Sequence, residues 1–263
     1  MSAARARVAS KLAGQVAALA RGALDLLLPN VCHACRRADV ATHGLCTACN
    51  LAMLKLAALD YCPRCGATAA GPLRDGQVDC PLCPQPLPRF EHVVRIGPYV
   101  QPLRAVIRGM KYRREEALCR WMSELLAAGV SARVERPLDV VVPAAMHWRR
   151  RLARGHDHAA VLAASVAKAL RLPRGRDLVR VRPTPAQVNL SRTRRLANLR
   201  DAFTVPHPAD IAGLRILLVD DVTTTGATAN EAARTLLRAG ASAVVLAVVA
   251  KADPPRAYAE PIE

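Results

Sequence analysis

Eight cysteines set out as four C-x2-C pairs constrain this chain more than any other feature. Cys32 and Cys35 are followed by Cys46 and Cys49, and Cys62 and Cys65 by Cys80 and Cys83, so two quartets stand in succession. Each C-x2-C turn presents two sulfurs to one tetrahedral ion, and the intervening loop returns the second pair. The competing use is a disulfide framework, but no secretory signal precedes the cysteines and paired knuckles suit a metal better than staples. With every position filled by cysteine no place is left for water, so the two Zn2+ expected here are structural. Ligation in sequence order is the simpler arrangement; a crossed one would use the same residues. Cys119, the ninth cysteine, sits in a helical pattern beside Leu118 and Trp121 and reads as a buried apolar residue.

Around the quartets the chain falls into three zones. Residues 1–29 carry apolar residues at helical spacing (Val8, Leu12, Val16, Leu19, Ala23, Leu27) and predict an amphipathic helix; their Arg content resembles a transit peptide, but Asp25 is foreign to one. Residues 30–90 are rich in Cys, Pro, Gly and Asp with little periodicity, as expected of a module held by metal rather than by a core. Residues 91–263 alternate strand and helix patterns. Strands are predicted at His92–Tyr99, Val140–Pro143, Leu178–Arg182, Arg215–Asp220 and Ala243–Ala250. Helices are predicted at Pro102–Tyr112, Glu115–Ala128, His158–Leu170 and Ala227–Ala239. The last strand, helix and strand make a βαβ unit, so the fold class is α/β with a buried parallel sheet flanked by helices. The polar stretch from Pro183 to Arg200 has no clear period and reads as a long loop or mobile hairpin.

The formal net charge of +17 predicts attraction to polyanions without choosing among nucleic acid, anionic membrane and phosphorylated small molecules. Two tetrathiolate zinc sites of net −2 each would lower that +17 to +13, still strongly basic. No apolar run approaches the roughly 18 to 20 residues that span a bilayer, so membrane insertion is not expected and the chain is read as soluble and cytoplasmic.

The densest chemistry lies at LLVDDVTTTGAT, Leu217 to Thr228, where an apolar strand ends in two acids and a Thr-rich, Gly-containing turn opens a helix. Backbone N–H groups at a helix start, helped by Thr hydroxyls, cradle a monophosphate, and carboxylates at a strand end accept from two neighbouring ribose hydroxyls. The bland alternative is an acid pair and a Thr that merely cap a helix.

This segment resembles the phosphoribosyl pyrophosphate loop of type I phosphoribosyltransferases. The resemblance implies a type I phosphoribosyltransferase fold. It also implies that Asp220 and Asp221 hold the 2′ and 3′ hydroxyls as the catalytic acids, with Mg2+ nearby. The phosphate would then rest on Val222, Thr223, Thr224, Thr225, Gly226, Ala227 and Thr228. The order of Cys-rich knuckles, IRGMKYRRE from Ile107, VVPAAMHWRRRLARG from Val141, RPTPAQVNLSRTRRLANLRDAF from Arg182 and the phosphate loop is similar to the competence protein F family, from Leu24 onward. Members of that family are associated with handling single-stranded DNA during natural transformation. The family's Arg-Gly-Phe-Asn-Gln turn is replaced by Arg154, Gly155, His156, Asp157 and His158. His156 and His158, at i and i+2 of a helix start, do not share a face and make a poor metal pair.

A phosphoribosyltransferase displaces pyrophosphate from C1 of the ribose, and cations must converge on the leaving group. Lys111, Arg154, Arg192, Arg194 and Arg195 are the candidates, with Gln187 in the same stretch; each has an alternative as a solvated surface residue, and all are equally candidates for DNA. Three functions fit: a transferase using phosphoribosyl pyrophosphate and Mg2+ on an unknown acceptor, a single-stranded DNA-binding competence module that keeps the loop as a phosphate grip, and an adaptor whose zinc module docks a competence helicase. The scarcity of aromatic residues counts against a stacking platform, although Trp148 and Tyr112 stand beside basic residues.

Overall fold

The computed structural model describes residues 31–37, 40–69, 80–113, 116–146, 157–175, 178–182, 199 and 201–253. Residues 1–29, with the expected leading helix, lie outside the described residues. The elements are α1 (Thr47–Ala57), β1 (His92–Pro98), α2 (Leu103–Arg113), α3 (Glu116–Arg133), β2 (Val140–Pro143), α4 (His158–Leu170), β3 (Val179–Arg180), β4 (Phe203–Thr204), a 3-10 turn (Pro208–Ile211), β5 (Arg215–Thr223), α5 (Ala227–Arg238) and β6 (Ala243–Lys251).

Four strands pair in the order β1-β6-β5-β2, all parallel. Their near-continuous Val, Leu, Ile and Ala content follows from cover on both faces. Alternate side chains divide between two cores. Val94, Ile96, Val141, Leu217, Val219, Val245 and Ala247 face a core closed by α1, α2, α3 and α4. Val93, Val140, Val142, Ile216, Leu218, Val244 and Leu246 face a second core closed by α5, the 3-10 turn and Phe203.

Two expected boundaries moved for physical reasons. The helix expected to stop at Ala128 runs on to Arg133, because Gly129 does not break it: a Cβ there would lie 3.2 Å from Val94 Cγ1, so glycine lets α3 sit close on β1. The strand expected over Leu178–Arg182 is only the Val179–Arg180 ladder, paired antiparallel with Phe203–Thr204 away from the main sheet. Val181 N–H also donates to the Ala202 carbonyl at 2.9 Å, so the chain leaves and re-enters at one place on either side of the polar stretch.

The cysteine-rich region does not stand apart from the sheet. Cys32, Leu45, Cys46, Met53 and Leu56 belong to the same buried cluster as β1, α2 and α3. Gly97 makes this possible, since a Cβ there would meet Leu56 Cβ at 3.2 Å and Leu103 Cδ2 at 3.2 Å. The second knuckle is an antiparallel turn closed by the Tyr61–Thr68 bridge, and Val93 N–H donates to the Pro63 carbonyl at 2.7 Å, which ties it to β1. A shared core predicts one cooperative unfolding transition. Leu56→Ala should lower its free energy by about 2–5 kcal/mol and move the whole transition; calorimetry showing two transitions, with only one displaced, would contradict the shared core.

Candidate functional site

The sulfurs of each sequence-order quartet gather. Those of Cys32, Cys35, Cys46 and Cys49 lie within 4.8 Å of one another, as do those of Cys62, Cys65, Cys80 and Cys83. The Cys35–Cys46, Cys62–Cys83 and Cys65–Cys80 separations are 3.7, 3.6 and 3.7 Å. These match the roughly 3.8 Å edge of a ZnS4 tetrahedron with bonds near 2.3 Å and are far too long for a disulfide, and all nine cysteines are free thiols. Both quartets therefore fit structural Zn2+, in the sequential arrangement. Cys119 is buried in the main core, as its pattern predicted.

Thiolate formation is favoured unevenly. Hydrogen bonding from Cys65 and from backbone N–H groups brings the Cys62 thiol down to about 5 against the cost of burial. At Cys32 burial pushes the other way, but the N–H groups of Cys35, Cys46 and Ala34 outweigh it and hold the thiol near 6. Burial and the neighbouring sulfurs push Cys49, Cys65 and Cys83 up, so a full set of thiolates needs a cation at the centre.

Strand β5 delivers the acid pair. Asp220 and Asp221 are both half-buried near the strand's C-terminal end. The Asp221 N–H donates to Asp220 Oδ1 at 2.8 Å, and Lys111 Nζ, carried by α2, lies 2.8 Å from Asp221 Oδ2. Burial, reinforced by the charge of Asp221, pushes Asp220 up to about 7, opposed by that N–H and by Lys111. Asp157 adds to the repulsion from α4, whose N-terminus it caps by accepting from the Ala160 N–H at 3.1 Å. The departure from Asn to Asp at this turn thus keeps a capping side chain.

The turn after the acids is open. Val222 packs half-buried on the main core, Thr223 is buried as the last residue of β5, Thr224 is exposed, and Thr225 and Thr228 are half-buried. Gly226 takes φ +76°, a left-handed conformation that favours glycine, and its carbonyl accepts the first helical bond, from Asn230 N–H at 2.8 Å. Thr225 Oγ1 accepts from the Ala227 N–H at 3.4 Å. Thr225, Gly226, Ala227 and Asn230 so border one small cleft of about 80 Å3, which is also lined by Pro84, Gln85, Pro86 and Pro88 from the chain leaving the second quartet. The Arg89 N–H donates to Asn230 Oδ1 at 2.7 Å and fixes that wall to α5.

Of the other expected residues, His158 is a buried residue of α4, and among the described residues no histidine joins a metal-holding group. Trp148, Arg154, His156, Gln187, Arg192, Arg194 and Arg195 lie outside the described residues. Four residues that sequence reasoning passed over form a polar chain that reaches the loop through Lys251. Lys251 Nζ donates to the Thr224 carbonyl at 2.5 Å and the Ala252 carbonyl at 3.2 Å, and lies 3.8 Å from Asp253 Oδ1. Thr68 Oγ1 donates to Asp253 Oδ2 at 2.7 Å and accepts from buried Arg95 at 3.0 Å. A charged residue inside the apolar run VVRIG, and another ending AVVLAVVA, were the available signals.

A double zinc ribbon joined to a domain of the phosphoribosyltransferase fold is the class these elements define. Family models agree: a double zinc ribbon domain matches residues 23–89, and a phosphoribosyl transferase domain matches residues 156–262. The chain is 34% identical over 226 residues to the DNA utilization protein YhgH of Salmonella typhimurium, covering 83% of this chain and 96% of that one. The Escherichia coli K12 protein of the same name is 31% identical over 226 residues with the same coverage, and competence protein F of Haemophilus influenzae is 28% identical over 229 residues, covering 84% of this chain and 96% of that one. The chain belongs to the family of these DNA utilization and competence F proteins. Among solved structures it is similar to a glutamine phosphoribosylpyrophosphate amidotransferase of B. subtilis (21% identity, 51% of this chain, 26% of that one, TM-score 0.35). It is also similar to adenine phosphoribosyltransferase of Saccharomyces cerevisiae (16%, 53%, 72%, TM-score 0.36). Among the described residues no helix is long and apolar enough to cross a membrane.

Two expectations follow. Metal analysis of the purified, reduced chain should find about two zinc ions per molecule; folded protein with none would contradict the fit of the quartets. The second concerns Asp220, which keeps its proton to about pH 7 when folded and releases it near its ordinary 3.8 when unfolded. Folding takes up a proton between those values, so this group's contribution falls as pH rises through that window. Asp220→Asn should therefore be more stable than the parent at pH 8, by roughly 1–3 kcal/mol, with the difference vanishing below about pH 4. Parallel stability curves across that range would show that Asp220 is not strained.

Proposed function

We propose that the chain binds phosphoribosyl pyrophosphate with Mg2+ at the β5–α5 turn and serves in DNA utilization. The observation that carries the reading is the juxtaposition of two adjacent carboxylates, one of them resisting ionisation, with a helix N-terminus that borders a cleft beside Thr225 and Gly226. The 5′-phosphate would accept from N–H groups and hydroxyls of Thr224, Thr225, Ala227 and Thr228. Asp220 and Asp221 would accept from the ribose hydroxyls, and Lys111, already drawn to Asp221, would face the pyrophosphate. Mg2+ would neutralise the pyrophosphate when bound. Transfer would then break the C1–O bond to pyrophosphate with charge developing on the ring, so the protein's part is to hold the sugar and screen the leaving group.

A second reading, single-stranded DNA binding, has its own support. Relatives at 28 to 34% identity carry DNA utilization and competence names, and the chain is strongly basic. Residues just after Arg192, Arg194 and Arg195 in the chain are well held: Leu199 is buried, the Asp201 N–H donates to Glu231 Oε1 of α5 at 2.9 Å, and Arg234 lies 3.2 Å from Asp201 Oδ1. In this reading the arginines grip the phosphates of the strand, and the zinc module docks a helicase.

One cross-experiment tests both. Calorimetric titration of the zinc-loaded chain with phosphoribosyl pyrophosphate and Mg2+ should show binding that Asp221→Asn weakens at least about tenfold, since a charged acceptor has gone from the ribose. The triple Arg192, Arg194 and Arg195→Ala variant should keep that affinity but bind single-stranded DNA more weakly. Its salt slope should be shallower by roughly 0.7 for each phosphate no longer neutralised. Equal phosphoribosyl pyrophosphate affinity in parent and Asp221→Asn would reduce the acids to helix caps.

A further inference from the structure

The second cysteine quartet and the phosphate loop meet through a chain of polar groups that are buried or partly buried. The knuckle of that quartet, Tyr61 to Thr68, docks on the sheet, and a Cβ at Gly66 would come within 3.0 Å of Val93 Cγ1 and 3.8 Å of Lys251 Cδ. Thr68 is three residues past Cys65 and bonds Asp253 through both its hydroxyl, at 2.7 Å, and its N–H, at 3.3 Å. Lys251, 8% exposed, stands between Asp253 and the loop and reaches the Thr224 carbonyl. In the register of β5 and β6 it is opposite Thr223, where the loop leaves the sheet. The Ala252 N–H donates to the Thr223 carbonyl at 2.8 Å and adds a backbone tie at the same point.

We propose that Lys251 is a positioning residue that fixes the phosphate loop by holding the Thr224 carbonyl, and that Thr68 and Asp253 make this hold depend on the second zinc knuckle but not the first. Holding the Thr224 carbonyl fixes the peptide that opens the turn carrying Thr225 to Thr228. The burial of Lys251 makes the bond costly to lose: its ammonium is met by the Thr224 and Ala252 carbonyls and by Asp253. Four thiolates around one Zn2+ would carry a charge of −2, and the knuckle that holds Cys65 lies against two buried cations, Lys251 through Gly66 and Arg95 through Thr68. A second tether from the same quartet, the Pro84–Pro88 wall pinned by Arg89 to Asn230, holds the first turn of α5. The first quartet, by contrast, packs on the α2 and α3 side of the sheet. The proposal rests on the phosphate-site reading only for its purpose, since the mechanical link is a property of the chain without ligand.

Amide hydrogen exchange of the full, zinc-loaded chain tests it without any ligand, so it decides this inference whether or not phosphoribosyl pyrophosphate binds. Lys251→Met and the milder Thr68→Val should each speed exchange of the Asn230 and Ala252 amides, which donate to the Gly226 and Thr223 carbonyls of the loop, by about five- to tenfold, with two zinc ions retained and β5 and β6 still protected. Lys251→Arg, which keeps a charged donor, should retain most of the loop's protection. Cys80→Ser should lose one zinc and speed the same amides, while Cys49→Ser should lose the other and leave them protected. Unchanged loop exchange in folded Thr68→Val or Lys251→Met would overturn the proposal. So would an equal rise with Cys49→Ser and Cys80→Ser, which would mean general loosening. A Lys251→Met variant with weaker phosphoribosyl pyrophosphate binding but an unaltered loop would overturn it too, since Lys251 would then be a direct ligand.

Discussion

The C-terminal end of β5 is where this structure concentrates its unfavourable electrostatics, and most of what surrounds it can be understood as a response. A buried parallel strand ends there in two adjacent carboxylates, which repel each other, and Asp157 adds a third from α4. Lys111 answers one of them directly, the Asp221 N–H answers the other, and Asp220 is still left holding its proton far above the usual carboxylate range. Packing alone gives no reason to place such a pair at a sheet end. A ligand bearing hydroxyl donors does, and the open first turn of α5 beside it supplies the complementary place for an anion.

The zinc ribbons are a structural part of the same end of the sheet. Small metal-held modules often lack a core of their own, and here the first ribbon borrows one, with Met53 and Leu56 of α1 lying against β1 through the space that Gly97 leaves. The second ribbon contributes a backbone bond to β1, one wall of the cleft at α5, and the route through Thr68 and Asp253 to Lys251. Removing the metal from either quartet thus has consequences inside the α/β domain, although different ones.

Contiguous chemistry was legible from the sequence and dispersed chemistry was not. Each quartet is written as two C-x2-C turns and the Asp220 to Thr228 segment as one turn of chain, so their groups stand out locally, and sheet strands such as Val140–Pro143 could be read as short apolar runs. The Thr68–Asp253 bond spans 185 residues and has no local signature; only the anomaly of a charge within an apolar run hinted at Arg95 and Lys251. The union of ribbon and sheet was likewise hidden, since the cysteine-rich zone lacks periodicity and its apolar residues reveal a partner only when Gly97 brings β1 against them. Helix α3 passed its expected end because Gly129 serves packing there, which propensity alone cannot register.

The central claim is that the β5–α5 turn is a ribose-phosphate site completed by the second ribbon. A crystal structure of the zinc-loaded chain with ribose 5-phosphate and Mg2+ tests it most directly. The account predicts the phosphate within hydrogen-bond distance of the N–H groups between Thr225 and Thr228, the ribose hydroxyls on Asp220 and Asp221, and the bond from Lys251 to the Thr224 carbonyl intact. A sugar phosphate bound instead on the basic surface, with the turn empty and the acids still paired to Lys111, would contradict it.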